Sequence, residues 1–451
     1  MSEAATIILS TDSENLTTFE DTVNRLAPAL AESKYSVWIY FKAGDLEIDT
    51  RKKDTNIFMS CNNRKNGSGQ ANSFSVCVAY VPNINSPDVN YIDVKLYGPN
   101  AKAGYQDTSN ATGSYGNAAV LNECVLQYGY GNLNIASPRY VGQLLDYKVE
   151  IQNGMLMYTM TGYSGCVSEK ENKHEFPQIG SMSYEEDGSN PTPQETERPT
   201  VVVKRAFEQY LPEYTVTIDS SALGKDKAIV IGSLQDKTVF EYAREVLALA
   251  EDESVTDSDD IAGKSVYYFT ISDVENSKKI TIKRTNPRED SQNAKANVIF
   301  DWMGGFGNNT NVHTGNLVQN FNTEFKGAIA LNAMAKKSEG TEDEYSYSIN
   351  SYGEVVKAKM FIGDPMSGDY IQSDASKNLS AWATATQYAY KATLTTVGLP
   401  CEIPIGEYIR VRPLIYGREH LTGGVYMITG SEDNVDNSGF TTTLSLVKIG
   451  T

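Results

Sequence analysis

Three histidines, His174, His313 and His420, are the first residues whose chemistry could be catalytic or metal-binding. A zinc centre needs Cys or His ligands in close pairs, as in H-E-x-x-H or C-x-x-C. None of the three has such a neighbour. His174 lies in a polar, linker-like stretch and the other two in turns, so each reads as a surface or turn residue. The five cysteines (Cys61, Cys77, Cys124, Cys166 and Cys401) are scattered, odd in number and without a C-x-x-C. They read as reduced thiols, with neither a disulfide frame nor a zinc site. The acidic run from Glu251-Asp252-Glu253 through Asp257, Asp259 and Asp260 raises calcium. An EF-hand loop counted from Asp257 would put Ala262 where glycine is needed and Tyr268 where the bidentate glutamate belongs. The run therefore reads as a solvated loop. Trp302 to Gly307 is glycine-rich but lacks the Lys-Ser/Thr of a phosphate loop, and no nucleophile elbow or dinucleotide fingerprint is present. Carboxylates are plentiful, yet nothing singles out a glycosidase pair. The sequence assigns no catalytic residue, no cofactor and no metal, and the chain reads as not an enzyme.

Composition points the same way. A chain of 451 residues has room for two to four domains and more than one core. Its net charge of −18 argues against a protein that grips nucleic acid, whose phosphates call for Lys and Arg. Tyrosine is common, 28 residues against 14 Phe and 3 Trp. That suits strands and interfaces, where the ring is buried and the hydroxyl stays wet. No run of 18 apolar residues spans a bilayer. Met1-Ser2-Glu3-Ala4-Ala5 lacks a basic, then apolar, leader. A protein made and kept in the cytoplasm until assembly is the expectation.

The elements that would position these residues are mostly strands. Thr6 to Leu9 reads as a short strand. Phe19, Val23, Leu26 and Leu30 then form one face of a docking helix, with Thr17 and Glu20 as a capping box and Pro28 keeping it short or kinked. Strands follow at Ser36–Phe41, Asn56–Met59 and Phe74–Tyr80. A Gly/Asn/Ser-rich loop covers 96–120, and Glu123 restarts the sheet. Asn153-Gly154, between alternating segments, predicts a two-residue hairpin turn with positive φ at both positions. Glu169 to Thr200 is rich in Pro, Glu and Ser and reads as a linker or partly ordered loop. Thr238 and Glu241 form a capping box ahead of an amphipathic helix through Ala250. Strands at Tyr214–Ile218, Ala228–Ile231 and Ser265–Ile271 would supply its sheet.

β pattern resumes from Lys278, with strands at Asn297–Asp301 and Phe321–Phe325 and a polar turn at Ser338–Glu344. From Tyr390 it becomes a meander: Tyr390–Leu399, then Tyr408–Val411, then Val425–Ile428. A polar loop at Gly430–Gly439 follows, and Phe440–Val447 closes it.

Ordered residues in this last stretch (Gly406, Tyr408, Ile409, Val411, Leu421, Gly423, Gly424, Tyr426, Ile428, Asp433, Gly439, Phe440, Thr442, Thr443, Leu444 and Leu446) resemble the closing strands of phage tail baseplate hub proteins. Leu126–Tyr130, Tyr140–Tyr147 and Tyr158–Gly165 resemble the end of the first barrel in that family, and Leu211–Tyr214 with Asp236–Ala243 its small α/β domain. The resemblance implies a mainly β chain in which two tail-tube-like antiparallel β-barrels flank an α/β domain. Its divisions would be 1–168 (first barrel with a short helix), 169–200 (linker or loop), 201–290 (α/β) and 291–451 (second barrel). It further implies a structural baseplate hub of a phage tail or related contractile injection system. Such a hub is a homotrimer whose pseudo-sixfold ring joins a hexameric tail tube protein to a separate trimeric central spike protein, beside other baseplate proteins. It would be assembled in the bacterial host cytoplasm and sit in the virion tail. The acidic charge suggests a channel lining that does not hold DNA, with no specific nucleic-acid site and no membrane span. The alternative is a tail adhesin or carbohydrate-binding β-sandwich protein, to which the tyrosines and long polar loops would suit.

Overall fold

The computed structural model describes residues 18–29, 36–44, 46–51, 56–66, 72–80, 123–131, 135–164, 172–183, 192–253, 265–286, 296–303, 317–325, 331–333, 345–349, 355–359 and 390–450. Expectations for Thr6–Leu9, 96–120, Gly304–Gly307 and Ser338–Glu344 fall outside these residues. The protein is mainly β, with three helices among the described residues.

Helix α1 (Phe19–Ala29) buries Phe19, Val23 and Leu26, so it docks as expected. Its cap is one residue later than the sequence suggested. With Phe19 as the first helical residue, Thr18 caps it: Asp21 N donates to Thr18 Oγ1 at 3.1 Å, and that hydroxyl donates to Asp21 Oδ2 at 2.7 Å. Pro28 falls in the last turn of Phe19–Ala29, and Leu30 of the expected face lies outside the described residues.

The first β module comprises β1 (Val37–Ala43), β2 (Leu46–Asp49), β3 (Asn56–Asn66), β4 (Ser73–Tyr80), β5 (Glu123–Tyr130), β6 (Ile135–Ala136), β7 (Tyr140–Gln152) and β8 (Met155–Ser164). Antiparallel pairing runs β3-β4-β8-β7-β5-β1-β2. Between β7 and β8 the turn is the expected one, with Asn153 at φ 51° and Gly154 at φ 77°.

The segment expected as a linker is built into structure. β9 (His174–Phe176), β10 (Ser181–Ser183) and β11 (Thr192–Glu195) lie within it. β10 pairs with β11, and β9 with β13 (Leu234–Lys237). Bridges join Ile179 to Ile231 and Glu197 to Ile229, so Ala228–Ile231 forms bridges in place of the expected strand. The physical reason is Phe176, which stacks on Tyr242 at 3.8 Å and is buried. One well-placed aromatic outweighs a linker-like composition. Helix α2 (Pro199–Tyr210) opens on Pro199, whose missing N–H costs nothing in a first turn. Helix α3 (Val239–Ala248) carries the expected box, with Thr238 Oγ1 accepting from Glu241 N and Glu241 from Thr238 N.

The two helices pack on a sheet of β12 (Thr215–Ile218), β14 (Val266–Val274) and β15 (Ser277–Thr285). β15 lies between the others, parallel to β12 and antiparallel to β14. One residue pair, Val274 with Tyr140, links this sheet to β7.

The second β module holds β16 (Val298–Met303), β17 (Val318–Phe325), β21 (Tyr390–Val397), β22 (Tyr408–Ile415), β23 (Arg418–Glu419), β24 (Gly424–Asp436) and β25 (Gly439–Gly450). A separate small sheet contains β18 (Leu331–Ala333), β19 (Tyr345–Ile349) and β20 (Val355–Lys359). The main order is β17-β21-β25-β24-β22-β16, antiparallel except for β16 with β22. The expected polar loop from Gly430 is mostly strand: β24 continues to Asp436, and only Asn437 and Ser438 turn the chain. Gly430–Asp436 pairs with Ser60–Asn66 of β3 on one side and with β25 on the other. Hydrogen bonding on both edges holds in a strand residues that have little preference for one.

Through β3 and β24 the two β modules share one continuous sheet. They also share one hydrophobic core, which α1 joins. The α2/α3 module keeps a second core around Phe207, Phe240, Tyr242 and Phe269.

Candidate functional site: the seam between the β modules

A buried polar cluster lies where β3 meets β24, and its residues come from both ends of the chain. On β24, strand alternation points Ser431, Asp433 and Val435 inward and leaves Glu432 and Asn434 outside. Asp433 is 2% exposed. Its Oδ2 accepts from Tyr128 Oη of β5 at 2.5 Å, and its Oδ1 from Thr442 Oγ1 of β25 at 2.5 Å. Asn63 Nδ2 of β3 donates to Tyr128 Oη at 2.8 Å, and Leu399 N donates to Thr442 Oγ1 at 2.8 Å. Burial pushes the Asp433 carboxyl up to about 6, against the lowering pull of its two hydroxyl partners and of Lys65. Burial likewise pushes the hydroxyls of Tyr128 and Tyr140 well up, and they stay protonated.

Around this cluster the first module reaches over the second with tyrosines. Tyr130 Oη donates to Gly398 O at 3.1 Å and Tyr140 Oη to Cys401 O at 3.2 Å. Phe440 meets Tyr128 edge-on, with centroids 5.2 Å apart, and lies 5.6 Å from Tyr130. Gly398 is required here, because a Cβ would lie 2.0 Å from the Phe440 ring. On the outer face Asn62 Nδ2 donates to Glu432 Oε1 at 2.5 Å. Asp433, Tyr128 and Tyr140 are all closed off from solvent. The arrangement joins two modules and offers a substrate no approach.

The α/β module is tied to both partners. Asn72 Nδ2 donates to Asp273 Oδ2 at 2.9 Å, and Tyr214 Oη donates to Asp273 Oδ1. Lys283 Nζ donates to Ile405 O at 3.1 Å, and Thr285 and Tyr408 share a hydroxyl bond of 2.9 Å. A cleft of about 720 Å³ opens between α1, the sheet of the α/β module and the second β module, lined with mixed charge such as Glu20, Asp219, Lys283 and Glu407.

The candidate residues from the sequence are not brought together. His174 belongs to β9, not to a linker, and its ring lies 4.1 Å from that of Tyr210. His420 is in an exposed turn, where Thr422 N donates to its Nδ1 at 3.3 Å. His313, Cys166, Asp257, Asp259 and Asp260 are outside the described residues. Cys61, Cys124 and Cys401 are buried free thiols, and burial pushes Cys401 up to about 12. Asp252 corrects the reading of a solvated acidic loop, since it is buried against Arg284. Among the described residues no group of three His, Cys, Asp or Glu is arranged to hold a metal ion. No helix among them is long and apolar enough to cross a membrane. Of the seam residues, only Asp433, Tyr128, Tyr130, Tyr140, Phe440 and Thr442 fall within the motifs singled out earlier. Asn63 and Lys65 carried no local signal.

No family model matches the sequence, and no curated protein matches it. Solved structures do match. The 43 kDa tail protein of prophage MuSo2 from Shewanella oneidensis has a TM-score of 0.51 and 10% identity, over 92% of this chain and 99% of that one. A tail protein from Neisseria meningitidis MC58 has a TM-score of 0.48 and 9% identity, over 92% and 97%. An E. coli component of the type VI secretion system has a TM-score of 0.43 and 5% identity, over 90% and 76%. The resemblance read in the closing strands is thus met in the fold: over most of its length this chain has the fold of a phage tail protein, that of prophage MuSo2.

Proposed function

We propose that the chain is a structural baseplate hub of a phage tail or a related contractile injection system, not an enzyme. The observation that carries this reading is the joining of two β modules, from opposite ends of the chain, into one sheet and one core beside an α/β module. A fold shared with a prophage tail protein over 92% of the chain supports it. On this reading each chain supplies two barrel-like units, divided near residues 168, 200 and 290, with the 169–200 stretch belonging to the α/β unit. A homotrimer then presents six such units in a pseudo-sixfold ring. One face of the ring seats the hexameric tail tube protein and the other the trimeric central spike protein, with other baseplate proteins around it. The protein is assembled in the bacterial host cytoplasm and ends in the virion tail. No cofactor enters this role. The net charge of −18 suits a channel wall that does not bind passing DNA specifically.

Electron microscopy of the assembled particle tests the reading. Three copies around the tail axis, enclosing a central channel, are expected. Six copies, one copy, or a peripheral fibre as an adhesin would form, would overturn it.

A further inference from the structure

Three buried aspartates of this chain, Asp49, Asp252 and Asp301, each face a guanidinium: Arg51 at 2.8 Å, Arg284, and Arg412 at 2.6 Å. Asp433 is as deeply buried as they are, but its hydrogen bonds come from two hydroxyls, those of Tyr128 and Thr442. It sits in the joint where Gly430–Asp436 pairs with Ser60–Asn66. A carboxylate whose hydrogen bonds come from neutral donors in a closed setting gains less to offset lost hydration than one on a guanidinium, so a proton suits Asp433 better than it suits those three. We propose that Asp433 makes the seam between the two β modules proton-sensitive, holding it more firmly in acid than at neutral pH.

The thiols and phenol hydroxyls that face Asp433 keep their protons through this window. From β3 come Cys61, Asn63 and Lys65, whose ammonium lies 4.3 Å from the centroid of the Tyr140 ring. β5 and β7 present Tyr128 and Tyr140, and the chain after β21 presents Cys401, with Glu402 next to it acting on Tyr140 and Cys401. β24 adds Glu432 and β25 adds Thr442. Cys61, Cys401, Tyr128 and Tyr140 are all pushed upward by burial and stay neutral through the physiological range. Lys65 favours the Asp433 anion and Glu432 opposes it.

The sign follows from linkage. The folded carboxyl titrates near 6 against an ordinary 3.8, so the folded state holds its proton to higher pH. The stabilisation is complete below about pH 4 and is lost as pH rises through 6, roughly a hundredfold in the folded-to-unfolded ratio over the whole range. About tenfold of that falls between pH 5 and 7.5.

Urea unfolding of the full chain across pH 5 to 7.5 tests this, comparing the unsubstituted protein with Asp433→Asn. The folded-to-unfolded ratio of the unsubstituted protein should fall about tenfold over that window relative to that of the variant. Parallel pH profiles overturn the proposal. If the variant does not fold, hydrogen exchange of the unsubstituted protein answers instead, with rates corrected for intrinsic pH dependence. Peptides spanning 60–66 and 430–436 should lose protection between pH 5 and 7.5 relative to peptides of α3. Equal change in both sets overturns the proposal. Neither readout depends on the hub reading.

Discussion

Asp252 is 4% exposed, and both of its oxygens are occupied. Oδ1 accepts from Tyr267 Oη at 2.5 Å and from Arg284 Nε at 2.9 Å, while Oδ2 accepts from Arg284 Nη2 and Ser265 Oγ. Burial pushes its pKa up, but the hydrogen bonds from Arg284, Ser265 and Tyr267 outweigh burial and leave it below the ordinary value. Its linkage is therefore opposite to that of Asp433: the stabilisation is present above the unfolded pKa and is lost as pH falls through the folded one. Asp252→Ala would strand the Arg284 guanidinium in the interior without its carboxylate. A loss of about 3–5 kcal/mol is expected in chemical denaturation. A variant that unfolds at the same denaturant concentration as the unsubstituted protein would show that the pair holds nothing together.

The β7–β8 hairpin isolates a backbone effect cleanly. At Gly154 an added Cβ would meet nothing within 4 Å, so packing plays no part. What remains is φ of 77°, which a branched side chain adopts only under strain. Gly154→Val should cost on the order of 1 to 3 kcal/mol, read as a lower thermal midpoint. An unchanged midpoint would mean the turn refolds freely into another type. Elements like this one were legible in the sequence because their determinants are local. Asn153-Gly154 and the Thr238–Glu241 box each act within four residues. The far half of β24 was not legible: Ser431, Glu432, Asp433 and Asn434 have the composition of a loop, and their strand partner is β3, some 370 residues away. Phe176 was hidden for a related reason, since its stacking partner Tyr242 lies in a helix beyond the polar stretch. Of the seam, the motif residues were visible as a pattern, but not the fact that they meet.

The two β modules cannot be separated without exposing what they share. Leu126, Tyr128 and Tyr158 from the first belong to the same core as Leu394, Ile428 and Leu446 from the second. A fragment of residues 1–168 would lack β24 and present the open edge of β3 and an apolar face to solvent. It is expected to aggregate on expression, whereas the full chain stays in solution. A fragment that is monomeric and gives sharp amide resonances would contradict the shared core. The pairing of Asn62 with Glu432 across 370 residues also sets a schedule. At synthesis rates of roughly 5–20 residues per second, β3 leaves the ribosome on the order of 20 to 75 seconds before β24 does. Throughout that interval the nascent chain carries an unfilled place in its sheet. The place beside β3 is filled only when the last strands of the chain arrive.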